Sequence, residues 1–174
     1  MTISSVAVIG GGLAGCECAY ALAGSGVSVH LFEMKPGACS PAHVSSDLAE
    51  LVCSNSFRSD AADSAVGALK SEMRLLGSLC MDVAEQTRLP AGKALAVDRD
   101  LFAAEVTRRM LEHPRIRVER REICSLDFRQ GDLAGHAAVV VAAGPLPRDR
   151  PVASPRHFAG GEDRSFYDAV APAV

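Results

Sequence analysis

No run in this chain approaches the roughly 20 apolar residues that a membrane-spanning helix needs. The N-terminus has no charged region leading into an apolar stretch, so no signal peptide is expected. Positive charge is not in excess: 18 Lys and Arg stand against 21 Asp and Glu, a net charge of −3. That argues against a strong nucleic-acid footprint across the segment, while leaving room for a local basic patch. The six cysteines (Cys16, Cys18, Cys39, Cys53, Cys80 and Cys124) form no C-x-x-C pair. Cys16 and Cys18 face different ways on a helix, so metal ligation is not expected. Without an export signal the thiols are expected to be reduced and the protein cytoplasmic, with most cysteines serving as small core residues. Tryptophan is absent, aromatic residues are few, and there is neither an internal repeat nor a low-complexity tract. What remains is a chain of 174 residues, 48% of them hydrophobic, long enough to bury one sizeable core.

The informative feature is at the start. Val6-Ala7-Val8-Ile9 reads as a buried strand and runs into Gly10-Gly11-Gly12-Leu13-Ala14-Gly15. Gly10, Gly12 and Gly15 fit the G-x-G-x-x-G pattern. Gly10 allows the tight turn, Gly12 lets the backbone approach a pyrophosphate, and Gly15 lets the next helix pack on the strand. The pyrophosphate would sit on unpaired N–H groups at the helix N-terminus, where the macrodipole favours negative charge. A small-residue helix follows, ended by Gly24-Ser25-Gly26, then a strand over Val27–Phe32. Glu33 lies 18 residues after Gly15, where an acid accepts both ribose hydroxyls of an adenosine.

Further along, Met34 to Ser46 reads as a loop, Asp47 to Cys53 is ambiguous, and Ser54-Asn55-Ser56 reads as a turn. Apolar spacing predicts one long helix from Asp63, through Val66, Leu69, Met73, Leu76, Leu79 or Cys80, and Val83, capped by Asp63 or Ser64. Leu95-Ala96-Val97 predicts a strand, and Asp98 caps a helix through Leu111 with Phe102, Val106 and Met110 inward. Ile116 to Ile123 predicts a half-solvated strand. Ala137 to Ala142 predicts a strand of the buried parallel type, ending at Ala143-Gly144-Pro145. This order fits an α/β, FAD/NAD(P)-binding, Rossmann-like doubly wound sheet, with an inserted segment at about 34–94. The Gly144 turn offers a second close approach to a dinucleotide.

The string Glu50-Leu51-Val52-Cys53-Ser54-Asn55-Ser56-Phe57-Arg58 is not explained by packing. Cys53 becomes a nucleophile if positive charge or a helix N-terminus depresses its pKa, and Arg58 can fork onto phosphate or carboxylate. The string resembles the Leu-Val-Cys-Ser-Asn-Ser signature of the folate- and FAD-dependent tRNA (uracil-5-)-methyltransferases, the TrmFO family. Further blocks resemble that family in order. These are Pro41-Ala42-His43, the helix Ala65 to Arg74, the block Pro90 to Arg99, and Phe166-Tyr167-Asp168-Ala169-Val170-Ala171-Pro172. Val44, Phe57 and Lys93 depart from the pattern, and Pro147 to Gly161 has no clear match.

The resemblance implies methylation of carbon 5 of a T-loop uridine in tRNA, with FAD as cofactor, NAD(P)H as reductant and 5,10-methylenetetrahydrofolate as one-carbon donor. It implies FAD contacts at Gly10, Gly11, Gly12, Leu13, Ala14, Gly15 and Glu33, with Gly144 as a further contact. It makes Cys53 the catalytic candidate, as a proton-transfer or flavin-side thiol rather than the group that attacks uracil. Asn55, Ser56 and Arg58 become candidate flavin, folate or RNA neighbours. Arg99 reads as a salt bridge near the helix cap, Lys70 and Arg74 as a solvated helix face, and His43 as a loop histidine that is exposed or bonds cofactor. The family is two to three times longer, so residues 1–174 are expected to be the N-terminal part of a FAD-binding domain, inactive alone. Two other readings stay open: another flavin-dependent tRNA-modifying enzyme of the same fold, or a non-catalytic nucleotide-binding remnant. Oligomeric state, NADH against NADPH, and tRNA against ribosomal RNA are left open.

Overall fold

The computed structural model describes residues 5–39, 43–127 and 129–144. Its centre is a parallel four-stranded sheet of β1 (Val6–Ile9), β2 (Val29–Glu33), β6 (Ile116–Arg120) and β7 (Ala138–Val141), in the order β6-β2-β1-β7. β1 pairs with β2 from Val6↔Val29 to Ile9↔Phe32, and with β7 from Val6↔Ala138 to Ile9↔Val141. Successive strand side chains face opposite ways, and the core follows that alternation. Val6, Val8 and Leu31 point into a cluster with α1 (Leu13–Gly24), α3 (Leu79–Gln86) and α4 (Arg99–Glu112). Ala7, Ile9 and Phe32 point the other way, onto Ile123, Leu126 and Leu133. Full burial of a Val, Leu or Phe contributes about 1.5–3 kcal/mol, so the helical face is the larger source of stability.

The expected helix through Leu111 is α4. Asp98 is its N-cap, accepting from the N–H groups of Asp100 and Leu101, and Phe102, Val106 and Met110 are fully buried. The expected long helix is two. α2 (Ala65–Leu75) starts at Ser64, whose hydroxyl accepts from Gly67, and it stops at Gly77, whose φ is +75°. Gly77 N–H returns to Arg74 O and Ser78 N–H to Met73 O, the two bonds of a Schellman stop. Ser78 then caps α3 by accepting from Met81 N–H, and the Glu17 carboxylate accepts from Leu79 and Cys80 N–H. The apolar spacing misled because Leu69 and Leu76 are exposed rather than inward.

A second correction concerns Leu95-Ala96-Val97, expected as a strand of the doubly wound sheet. As β5 (Ala94–Val97) it lies in a separate antiparallel sheet, β3-β5-β4, between β3 (Ser56–Ser59) and β4 (Arg88–Leu89). The turn at residues 90–93 is short, and a short turn closes an antiparallel hairpin, whereas a parallel crossover needs a dozen residues or more. β7 is parallel as expected but less buried: Ala138 and Val141 are exposed, and no described strand pairs with its outer side. Residues 47–55 are neither helix nor strand. Pro41-Ala42 and the 166–172 block lie outside the described residues. No helix among the described residues is long and apolar enough to cross a membrane.

Candidate functional site

The parallel strands end at one edge, and the turn after β1 is there. Gly10 takes φ +102°, and a side chain on it would overlap the Ala142 carbonyl at the end of β7. A side chain on Gly15 would overlap Gly10 O, so α1 rests directly on the turn. Gly12 has open space where a Cβ would be. It is the N-cap of α1 yet offers no capping side chain, and no acid occupies the first helical turn. The N–H groups of Leu13 and Ala14 therefore have no partner among the described residues. Open space facing unpaired N–H donors is the cradle a pyrophosphate needs. Gly144 joins the same edge with φ +78°, held there by the bond from Ala142 N–H to Ile9 O.

Glu33 is only 6% exposed. Its Oε2 accepts from Gly11 N–H at 2.7 Å and its Oε1 from Lys35 N–H at 2.8 Å. Each carboxylate oxygen keeps a second lone pair, so both hydroxyls of a ribose can still be bound. Gly11 has no room for a side chain, since a Cβ would meet Leu48 and Glu33.

The segment carrying Cys53 is moored to this turn. Ala49, at φ +52°, donates to Gly11 O at 2.8 Å, and Leu48 N–H donates to Thr107 Oγ1 on α4 at 2.8 Å. Lys35, 3% exposed, donates from Nζ to Asp47 O at 2.6 Å and to Glu50 Oε2 at 3.0 Å. Glu50 Oε1 accepts from Val44 and Ser45 N–H. Burial pushes the Glu50 carboxyl up, but these N–H donors and the Lys35 ammonium together hold it below its ordinary value. Beside the moored loop is a cleft of about 240 Å³, with Ser45, Glu50, Leu51 and Val52 on one wall and Arg99 and Asp100 on the other. Arg99 is exposed and forms no ion pair among the described residues, so the expected cap-region salt bridge is absent. Arg99 instead lends the cleft a cation.

Beyond Glu50 the chain opens to solvent. Cys53, Ser54 and Asn55 are exposed, and Ser56 is half-buried. Ser54 Oγ accepts from Ser56 N–H, Ser56 Oγ accepts from Arg58 N–H, and Asn55 O accepts from Val97 N–H. These bonds shape the backbone and leave the Cys53 thiol and Asn55 amide facing outward. Arg58 has φ +65°, and its guanidinium meets no carboxylate among the described residues. The structure thus brings Gly10–Gly15, Glu33 and Gly144 together, while Ser56 and Arg58 lie on β3 of the second sheet and Asn55 directly precedes it. The buried thiols differ from Cys53. Burial, then the nearby Glu33 charge, pushes Cys16 up to about 12; burial, then Glu17, pushes Cys80 up as well. Thiols held protonated this way are poor nucleophiles.

Two expectations fail. Lys70 is buried, not solvated, donating to Ser59 O at 2.7 Å and to Val66 O at 3.1 Å. Arg74 bridges Asp60 at 2.7 Å and Glu85 at 2.5 Å. Both tie α2 to the end of β3. His43 is half-buried rather than exposed. The sequence reading assigned no role to Lys35 or Glu50. The pair leaves no local signal, since its two residues stand 15 apart in sequence and meet only in the fold.

Glycine turn, uncapped helix, buried acid and parallel sheet define the α/β fold of the FAD/NAD(P)-binding class. The sequence profile of the family described as Glucose inhibited division protein A matches residues 5–169, and the chain belongs to that family. It is 56% identical over 172 residues to the Methylenetetrahydrofolate--tRNA-(uracil-5-)-methyltransferase TrmFO of Oleidesulfovibrio alaskensis, covering 99% of this chain and 38% of that protein. The protein of the same name from Geobacter sulfurreducens is 50% identical over 170 residues, covering 98% of this chain and 37% of its own length. This chain thus spans well under half the length of these relatives. Among solved structures, Aquifex aeolicus GidA matches with a TM-score of 0.55 at 18% identity, over 70% of this chain and 20% of that one. That likeness supports the fold alone.

Proposed function

We propose that this chain supplies the FAD-binding part of an enzyme that methylates carbon 5 of a T-loop uridine in tRNA. The one-carbon donor in this reading is 5,10-methylenetetrahydrofolate and the reductant is NAD(P)H. Residues 1–174 are then the N-terminal part of a FAD-binding domain, with the segment at about 34–94 as its insertion. The observation that carries the reading is the open cradle at Gly12, Leu13 and Ala14, next to the Gly11 N–H that the buried Glu33 accepts, with the Leu51–Ser56 signature moored to the same turn. Relatives named for this reaction, 50–56% identical over nearly the whole chain, support it.

Leu13 and Ala14 N–H would hold the pyrophosphate, Glu33 the ribose, and Gly144 the far side of the dinucleotide. FAD supplies redox chemistry that no side chain here can provide. Cys53 offers an accessible thiol for proton transfer or for chemistry on the flavin side. Arg58 and Asn55 face outward, available to folate carboxylates or RNA phosphate, with the half-buried Ser56 between them. The setting proposed is the cytoplasm, where exposed thiols such as Cys53 and Cys124 stay reduced. A different flavin-dependent tRNA-modifying enzyme shares the fold, but the Leu-Val-Cys-Ser-Asn-Ser block argues against it.

The test is an absorbance spectrum of the purified chain, followed by titration with FAD. Flavin bands near about 370 and 450 nm, or saturable uptake of added FAD, are expected. A colourless protein that takes up no FAD would sink the cofactor assignment.

A further inference from the structure

We propose that Lys35 and Glu50 are a positioning pair that ties occupancy of the Glu33 site to the placement of Cys53; this rests on reading that site as the FAD site. The bonds around the pair form a closed circuit. Glu33 Oε2 accepts from Gly11 N–H, and Gly11 O accepts from Ala49 N–H. Ala49 is joined covalently to Glu50, whose Oε2 accepts from Lys35 Nζ, and Lys35 N–H donates to Glu33 Oε1. Every link is between 2.7 and 3.0 Å. A ribose that bonds Glu33 shares oxygens already used by Gly11 and Lys35. Both neighbours lead to Glu50, three residues before Cys53.

Stability alone does not explain the pair. A buried ion pair is often no better for folding than apolar residues of equal volume, while a lone buried charge is costly. What an apolar pair could not do is gather Asp47 O, Val44 N–H and Ser45 N–H onto one point. Those three groups belong to a loop with no regular structure of its own. The pair gives that loop one arrangement, and the ribose acid senses it through the Lys35 main chain. Lys35 and Glu50 touch neither the cradle N–H groups nor Cys53, so they act through other groups. Coupling of this kind must be shown as an effect of one site on the other, not by proximity.

The experiment uses the whole chain with FAD as the probe, reading Cys53 alkylation by iodoacetamide through peptide-resolved mass spectrometry. Variants are Lys35→Met combined with Glu50→Gln, which leaves no buried charge unpaired, and Glu50→Asp, which keeps both charges but shortens the reach. Bound FAD should change the wild-type Cys53 rate by about fivefold or more. The double variant should still bind FAD within about threefold of wild type yet lose most of that change at Cys53. A merely structural role would lower FAD binding and leave the coupling proportionate. Should the double variant not fold, Glu50→Asp must show the same loss. The proposal is overturned if FAD-loaded variants shift Cys53 as wild type does, or if FAD binds wild type without any effect there. A wild-type chain that binds no FAD sinks the cofactor reading instead. The pair is then judged on hydrogen exchange over residues 44–53 without ligand. Exchange about tenfold faster in the variants upholds it as the anchor of that loop, and unchanged exchange overturns it.

Discussion

The turn at Gly10–Gly15 and the segment at Cys53–Arg58 are both short strings rich in small residues, yet they are built on different terms. The turn does its work with main chain. Its glycines are fitted against Ala142, Leu48 and each other, and its one acid is buried and bonded twice. The cysteine segment keeps its hydrogen bonds for its own backbone and turns thiol, amide and guanidinium outward. A site made of main-chain shape is complete when the local fold is complete. A site made of side chains is complete only when what they act on arrives.

The largest effect should come from breaking the first region where it is purely steric. Gly15→Val places a side chain on Gly10 O, a contact between two backbones that cannot yield. It should cost about 3 kcal/mol or more and destabilise the whole sheet edge, read by urea unfolding. Gly12→Val should behave differently, because nothing lies within 4 Å of its missing Cβ. The fold should hold, with loss of about 1 kcal/mol at most as an N-cap change. FAD affinity should fall about 100-fold, equivalent to about 2.8 kcal/mol, read by equilibrium titration. If the two glycines gave the same profile, steric packing and ligand approach would not be separate functions of the turn.

That separation also shows what the sequence could and could not reveal. The glycine turn was legible because its spacing is itself the signal, even though Gly10 and Gly11 fit against Ala142 and Leu48 far along the chain. α4 was legible for the same reason, with Asp98 capping it and Phe102, Val106 and Met110 at helical spacing. The break at Gly77-Ser78 carried a stop and a start signal, but apolar residues at helical spacing ran across it and masked both. Lys70 and Arg74 read as solvated because their partners, Ser59 O and Asp60, lie 11 and 14 residues away and leave no mark on the helix pattern. Lys35 and Glu50 were invisible for the same reason: a buried ion pair is a tertiary fact, and neither residue is unusual where it stands.

Acid should sharpen the contrast by loosening the junction between the two regions. The Glu50 carboxyl sits below its ordinary value of 4.5 in the folded chain. A lowered carboxyl contributes stability that is fully present above the unfolded value and is lost as pH falls through the folded one. The wild-type unfolding midpoint should therefore drop as pH is taken below about 4.5, the unfolded carboxyl range. Glu50→Gln, already without the charge, should show a shallower fall over that window. Parallel pH profiles would mean that the Glu50 charge does not hold the loop.

The smallest effect on stability should come from the residue with the most chemistry. Cys53→Ala removes an exposed side chain that bonds nothing among the described residues. It should change stability by less than about 0.5 kcal/mol, as surface substitutions do, and leave FAD uptake unaltered. Its mark should appear only in reactivity. With Cys16 and Cys80 buried and held protonated, brief iodoacetamide treatment of the folded wild type should label Cys53 and Cys124 well ahead of either. The variant should lose the Cys53 adduct and nothing else. A clear stability loss in Cys53→Ala would place the thiol in the packing of the fold and erase the difference between the two regions.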